Sequence, residues 1–478
     1  MMKNLLAAAM CLLCTVEAQA YEAGQTHAGL TEQAALTAQL NQEVVRVWGL
    51  RRGLFQEVFL RPAYLGAASR WAFLARFFQA DPNCGCVPTV NYSNRALGWL
   101  VLGSVIEQLP PDRIRNHFFD PETGGGLSER KRYRSLARRV RWRDMVAGGG
   151  SLAGFVTGSN FDLTGRSALV WAQAKDNEFG LPALWKHFEA SITASHRLER
   201  THYVAMTLLA MGALAHLLED MAAPSHVRND FVMSHLLRGN PRGGSAYEAW
   251  VADRFGRFGL SRFKVRPLVQ TRFVDFFAGP HGKGLAVWTA KRFLSIGSLP
   301  TGLPVTQWTR WLARHDKRLP PHRPFDMKAA LAGPRYLWSA DGTYRLAAYA
   351  VGPRGRLRFW MDRRVYSDCA RRLLPAAVSY TAGLLRYFFR GRLKISGRRS
   401  GRLTISNQGV GLGPGRLLVL LETRTGDRRV VATLPIQGAR SKGAVLARGV
   451  SVPRNGRAVA LFVGRDLNSE TIVAPSDQ

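Results

Sequence analysis

The chain has 478 residues, 46% of them hydrophobic, which allows a sizeable core and excludes a globally disordered protein. Lysine and arginine total 67 against 33 aspartate and glutamate, a formal charge of +34. This balance points to anionic partners, such as lipid head groups, nucleic acid or acidic surface polymers, and leaves the fold open.

The first twenty residues, "MMKNLLAAAMCLLCTVEAQA", read as a secretory leader. Lys3 gives the positive start, Leu5 to Val16 the apolar stretch, and Ala18-Gln19-Ala20 a small-x-small cleavage site. The apolar run is shorter than the about 20 residues needed to span a bilayer. Export is expected, secreted or periplasmic, with Tyr21 as the new first residue. No later stretch reads as a clear membrane span. Cleavage leaves Cys84, Cys86 and Cys369, too few for a disulfide framework.

Residues 26 to about 61 carry a helical pattern, and 93–109 form an apolar helix stopped by Pro110-Pro111. A loop with Asp-Pro and Gly-Gly-Gly turn signals follows. The run 129–143 is strongly basic, with Tyr133 and Trp142 interleaved, and reads either as a solvated helix face or as a nucleic-acid contact. Helices are predicted at about 165–195, 200–222 and 245–256. A Pro- and Arg-rich stretch near 257–325 reads as an insertion, densest in Pro, Arg and Trp at 296–325. A long amphipathic helix is predicted at 363–390. From Gly391 the texture changes to short β-rich runs, which predict a small β-sandwich over 392–478. The expected architecture is thus mainly α: a helical catalytic domain over 21–391 followed by a small β-sandwich.

The chemistry centres on "HLLEDMAAPSHVRND", which follows the apolar run "YVAMTLLAMGALA". His216 and Asp220 are four apart on a helix and share a face. Pro224 ends that helix, so His226 can fold back towards them. Imidazole and carboxylate are both good zinc ligands, so this spacing reads as a metal site or as a polar helix end. Four further residues are candidates: His27 in "QTHAGLTE", Glu107 at the end of an apolar helix, His117 in "RNHFFDP" and Glu248 in "AYEAWV".

Taken in order, these residues resemble the superfamily of zinc-dependent phospholipases C and single-strand nucleases. The resemblance spans roughly 21–255 and leaves the β-rich tail outside. It implies an all-helical catalytic domain with two or three clustered zinc ions. By this resemblance His27, with the amine and carbonyl of Tyr21, holds one zinc. Glu107, His117 and His216 hold a second, Asp220 bridges those two, and His226 with Glu248 holds a third. Glu107 and Asp220 are the implied catalytic carboxylates, with Glu107 orienting the attacking water. Tyr21 stands where the family commonly has Trp, and Glu107 where it commonly has Asp. Gly244 stands where the family has a histidine, and His235 or Asp230 is the candidate replacement.

The implied activity is a secreted phosphodiesterase in which zinc lowers the pKa of a bound water towards about 7. A phospholipase C acting on glycerophospholipids is the first reading. A single-strand nuclease and a non-catalytic binding protein with a degenerate metal site are the alternatives. Arg228 is a candidate phosphate contact or an ion-pair partner of Asp230. The β-sandwich is a candidate membrane-docking module, by analogy with toxin-type members of the family. On that view it is dispensable for small soluble substrates. A monomer is expected.

Overall fold

The computed structural model describes residues 23–65, 73–77, 88, 91–127, 164–230, 245–259, 264–279, 282–300, 302–315, 319–397, 402–453 and 455–478. The expected leader, Tyr21, Cys84, Cys86, the basic run 129–143, His235 and Gly244 lie outside them.

The helix expected over 26–61 is two shorter ones, α1 (Ala28–Thr37) and α2 (Leu40–Trp48). Gln39 sits between them at φ 56°, and Gly49 ends α2 at φ 65°, a left-handed position that glycine adopts without cost. Strand β1 (Glu57–Phe59) then pairs antiparallel with β2 (Ser93–Arg95), so the expected helix at 93–109 begins late, as α3 (Ala96–Ile106). The stretch expected as one helix over 165–195 is α4 (Ala168–Ala172), capped by Ser167, and α5 (Leu181–Thr193), with Pro182 in its first turn.

The centre of the fold is α6 (Arg197–Glu219), buried without interruption from Val204 to Glu219. Within Arg197–Ala222 an 18-residue window has a mean hydropathy of 1.4, so the helix is long and apolar enough to cross a membrane. Its apolar window is wholly buried inside the protein, which makes it a core helix. Helices α3 and α6 cross at two glycines. A Cβ on Gly103 would lie 2.1 Å from the Leu209 carbonyl oxygen, and one on Gly212 would lie 1.9 Å from the Leu100 carbonyl oxygen. The contact is backbone against backbone, so neither side can yield by turning a side chain. Gly212→Ala is expected to push the helices apart, cost about 1–3 kcal/mol in a denaturant titration and disturb the site that both helices carry.

Short helices follow: α7 (Pro224–Val227), α8 (Ala246–Ala252), α9 (Phe273–Phe277), α10 (Leu285–Ala290), α11 (Trp308–His315) and α12 (Met327–Ala332). The region expected as an insertion contributes Phe273, Phe276, Phe277, Leu285 and Phe293 to the main core. The helical domain also holds an unexpected antiparallel sheet, β3 (Arg335–Trp338), β4 (Arg345–Gly352) and β5 (Arg356–Trp360). It leads into α13 (Arg363–Phe388), capped by Asp362, which packs on α1 and α6.

The tail is a sandwich, as expected. One sheet has the order β10 (Val445–Ser451), β7 (Arg402–Asn407), β6 (Leu393–Ser396). The other has the order β12 (Thr471–Pro475), β11 (Arg457–Asp466), β8 (Leu412–Glu422), β9 (Arg428–Ile436). Leu417, Val419, Ala460, Phe462 and Ile472 fill the space between the sheets. The alternate residues Leu418, Leu420, Leu461, Val459 and Val473 belong to the core shared with the helices. The four-stranded sheet is therefore covered on both faces. Polar contacts rim that seam: Arg428 donates to the Ile192 carbonyl (2.8 Å), Arg390 to Asp466 (3.1 Å) and the Thr471 carbonyl (2.6 Å), and the Gln478 amide to the Arg46 carbonyl (2.9 Å).

Candidate metal centre

The last turn of α6 carries His216 and Glu219, and Asp220 caps its end. A single tight turn (Asp220–Ala222) and Pro224 at the start of α7 then reverse the chain, which returns His226 to within 3.9 Å of Asp220. His27 ends the opening turn just before α1, and His117 follows the tight helical segment Pro111–Asn116 after α3. Glu248 lies in the first turn of α8, where it and Ser245 cap one another: Glu248 Oε2 accepts from the Ser245 amide at 2.7 Å. His27, Glu107, His117, His216, Asp220, His226 and Glu248 are all fully buried.

Backbone and side-chain acceptors fix the rings. His216 Nδ1 donates to the Ser104 carbonyl (2.6 Å) and His226 Nδ1 to the His117 carbonyl (2.9 Å). A carbonyl only accepts, so each of these Nδ1 atoms carries a proton and each Nε2 faces the cluster. His27 Nδ1 lies 2.8 Å from Glu219 Oε2, which gives it the same tautomer. Phe118 stacks on the His226 ring, with centroids 4.5 Å apart. The His27 and His216 rings stack at 3.8 Å.

The inward atoms then crowd around Asp220. His27 Nε2 is 3.3 Å from Asp220 Oδ1, and His216 Nε2 is 3.3 Å from Asp220 Oδ2. His117 Nδ1 is 2.9 Å from Asp220 Oδ2 and 3.2 Å from His216 Nε2. His226 Nε2 is 3.1 Å from Glu248 Oε1. Among the described residues, neither Asp220 oxygen has a hydrogen bond of good geometry, and His117 Nε2 has none either. A buried carboxylate left in that state is costly unless cations meet it, either protonated imidazoles or a metal ion. The spacing fits a metal ion. With Zn–N and Zn–O bonds of about 2.0–2.1 Å, neighbouring ligands of a tetrahedral zinc lie about 3.3–3.4 Å apart. Two three-residue groups have their ligand atoms within 4.8 Å of one another: His27, His216 and Asp220, and Asp220, His226 and Glu248. Asp220 is common to both.

Other expected residues sit further out. Glu107 accepts from Arg113 (2.7 Å) and from the Trp171 indole (2.9 Å), and its Oε1 is 4.0 Å from His117 Nε2. Arg228 donates to the carbonyls of Phe293 (2.6 Å) and Ala290, so the structure turns these donors onto the chain around the end of α10 and not onto the cluster. Asp230 accepts from the Gly297 amide (2.6 Å). Two buried side chains at the site escaped the sequence reading: Glu219 behind His27, and Arg113 against Glu107. Glu219 follows an apolar run and precedes Asp220, so its pairing with His27 has no local signature.

Burial opposes charge on His27, but Asp220 and Glu219 outweigh it and push the imidazole up to about 9. Burial likewise opposes charge on His226, and Asp220, Glu248 and the His117 carbonyl raise it to about 9. Burial wins at His117, which falls to about 4. Asp220 is held well below the usual carboxylate range; burial works against its charge, and His226 and His216 overcome it. Before metal binds, the two raised imidazoles stabilise the fold fully below pH 6.5 and lose that contribution as pH rises through about 9. Zinc must displace both protons. Its affinity is expected to rise between pH 6.5 and about 9. Calorimetry near neutral pH, in buffers of different ionisation heat, is expected to show release of about two protons.

No protein-family model matches the chain, and no curated protein matches it. Among solved structures, it aligns with alpha toxin from Clostridium absonum at a TM-score of 0.30 and 11% identity, over 96% of this chain and 92% of that one. It aligns similarly with Clostridium perfringens alpha-toxin isolated from avian strain SWCP, at a TM-score of 0.29 and 11% identity, over 96% and 99%. A superposition this loose carries no functional argument.

Proposed function

We propose that the chain is an exported, zinc-dependent phosphodiesterase, and that phospholipid is its substrate, which makes it a phospholipase C. The observation that carries this reading is Asp220, a buried carboxylate with no well-formed hydrogen bond, shared by two sets of ligand-type atoms at zinc-like spacing. In this reading His27, His216 and Asp220 hold one ion, and Asp220, His226 and Glu248 hold another. His117 stands beside Asp220 at 2.9 Å and completes either set. Glu107 Oε1, 4.0 Å from His117 Nε2, is kept as a ligand; the gap is wider than the about 3.3–3.4 Å of tetrahedral neighbours, so the two would close in by a few tenths of an ångström to share an ion. Tyr21 is kept as a backbone ligand beside His27.

When bound, zinc supplies a water acidified towards neutral pH and positive charge for phosphoryl oxygens. The chain's own part is to hold each imidazole in one tautomer and to exclude bulk water. Asp220 stands between the two sets, with Oδ1 facing His27 and Oδ2 facing His216 and His226. Arg113 and the Trp171 indole fix the direction of the Glu107 carboxylate.

Charge supports an anionic, extended substrate surface. Arg354, Arg356 and Arg358 are exposed along the β4–β5 hairpin, Arg363 and Arg364 are exposed just beyond, and half-buried Trp360 and Met361 lie between. Such a mixture of cations and apolar groups suits the head-group layer of a bilayer. The β-sandwich keeps the outer face of its three-stranded sheet, with exposed Lys394 and Arg448, for the same role.

The expected result is zinc in the purified mature protein and hydrolysis of a soluble choline phosphodiester, lost on chelation and restored by zinc. Cleavage of single-stranded DNA in place of the choline ester would move the assignment to the nuclease. A protein that binds no zinc would leave only the binding-protein reading.

A further inference from the structure

Glu219 is fully buried, and both its carboxylate oxygens are engaged. Oε2 faces His27 Nδ1 at 2.8 Å, and Oε1 accepts from the Thr31 hydroxyl at 2.9 Å. Thr31 lies one helical turn beyond His27, whose backbone at the start of α1 is helical, so the ring and the hydroxyl share one face. Glu219 therefore grips the back of the ring whose front, Nε2, is 3.3 Å from Asp220. It is not placed as a ligand: it meets His27 on the edge opposite the cluster.

The other two inward-turned rings are held differently. His216 and His226 give Nδ1 to neutral backbone carbonyls, of Ser104 and His117. Among these three rings, only His27 is backed by a carboxylate. A carboxylate behind a metal-bound imidazole fixes its tautomer and orientation and makes the ligand nitrogen more basic, and removing such a partner typically weakens metal binding 10–100-fold.

We infer that Glu219 is a positioning residue that acts through His27 to tighten zinc at the His27–His216–Asp220 set, leaving the Asp220–His226–Glu248 set untouched, so that the two sets differ in affinity. This rests on the proposed zinc reading and adds an order of loading to it. The first set fills first and gives up its metal last. Thr31 shares the role, since its hydroxyl holds Glu219 in place.

The test uses the full mature chain and zinc competition against a chromophoric chelator, with cobalt absorption as a second readout. Glu219→Gln keeps the shape and removes the charge. It is expected to weaken the tighter of two zinc steps by about 10–100-fold and to leave the other within about twofold. Thr31→Val is expected to shift the same step in the same direction by less, and it carries the test should Glu219→Gln fail to fold. Excess zinc is expected to restore activity to both variants, which a collapsed site would not allow. The inference is overturned if a folded Glu219→Gln protein binds both ions as the parent does, or loses both equally. A parent chain that binds no zinc overturns the proposed function itself, and this inference with it.

Discussion

Asp220→Ala is expected to release zinc from both sets at once and to lower phosphodiester hydrolysis by about a thousandfold or more, beyond the cost of removing any single charge-stabilising donor. No other side chain is common to the two sets. Loss of His27 or of Glu248 should empty one set and spare the other. The substitution also removes the charge that holds His27 and His226 protonated to about pH 9. Those rings are fully buried, so without Asp220 desolvation drives them towards neutrality. Metal analysis and thermal melts check the result together. Chelation should lower the melting temperature of the parent by several degrees, since ligand at 100–1,000 times its Kd contributes about 3–4 kcal/mol. Asp220→Ala should melt at one temperature with or without chelator. A variant that keeps one equivalent of tightly held zinc would sink the shared-ligand geometry.

Removal of residues 392–478 is expected to unfold the helical layer, not to leave a soluble-substrate enzyme. This reverses the view of the tail as a dispensable docking module. Leu418, Leu420, Val459, Leu461 and Val473 leave the shared core with it. At roughly 2 kcal/mol per buried aliphatic side chain, the loss is about 10 kcal/mol, comparable to the whole stability of a domain at about 5–15 kcal/mol. The carbonyl of Ile192, at the end of α5, also loses its buried partner Arg428. Soluble yield and near-ultraviolet dichroism of the truncated chain are the measurements. A well-folded product that still hydrolyses a soluble ester would overturn the prediction. Leu461→Asp, which buries a charge at the seam, is expected to act in the same direction within the full chain.

The difference between these outcomes and the sequence-based picture has a physical origin. His216, Asp220 and His226 were legible because helical spacing and one proline fix their geometry locally. His27, His117 and Glu248 were legible only as members of an ordered set, since nothing near them in sequence demands a metal. Glu219 was hidden because its partners are 192 and 188 residues away. Arg113 looked like one of many arginines until the structure placed it on Glu107. The two-faced burial of β8 did leave a trace: "LLVLL" at 417–421 has no polar alternation, which is the pattern of a strand covered on both sides. The sheet β3–β5 was missed because β3 and β5 have only four and five residues and the longer β4, "RLAAYAVG", is rich in alanine, which favours helix.

Helix α5 rests against β12, a strand made almost three hundred positions later. During synthesis or translocation, the helices emerge long before the wall that covers them. Until that strand arrives, the apolar flank of α5 is open to water and to other chains, the state in which long non-local folds aggregate.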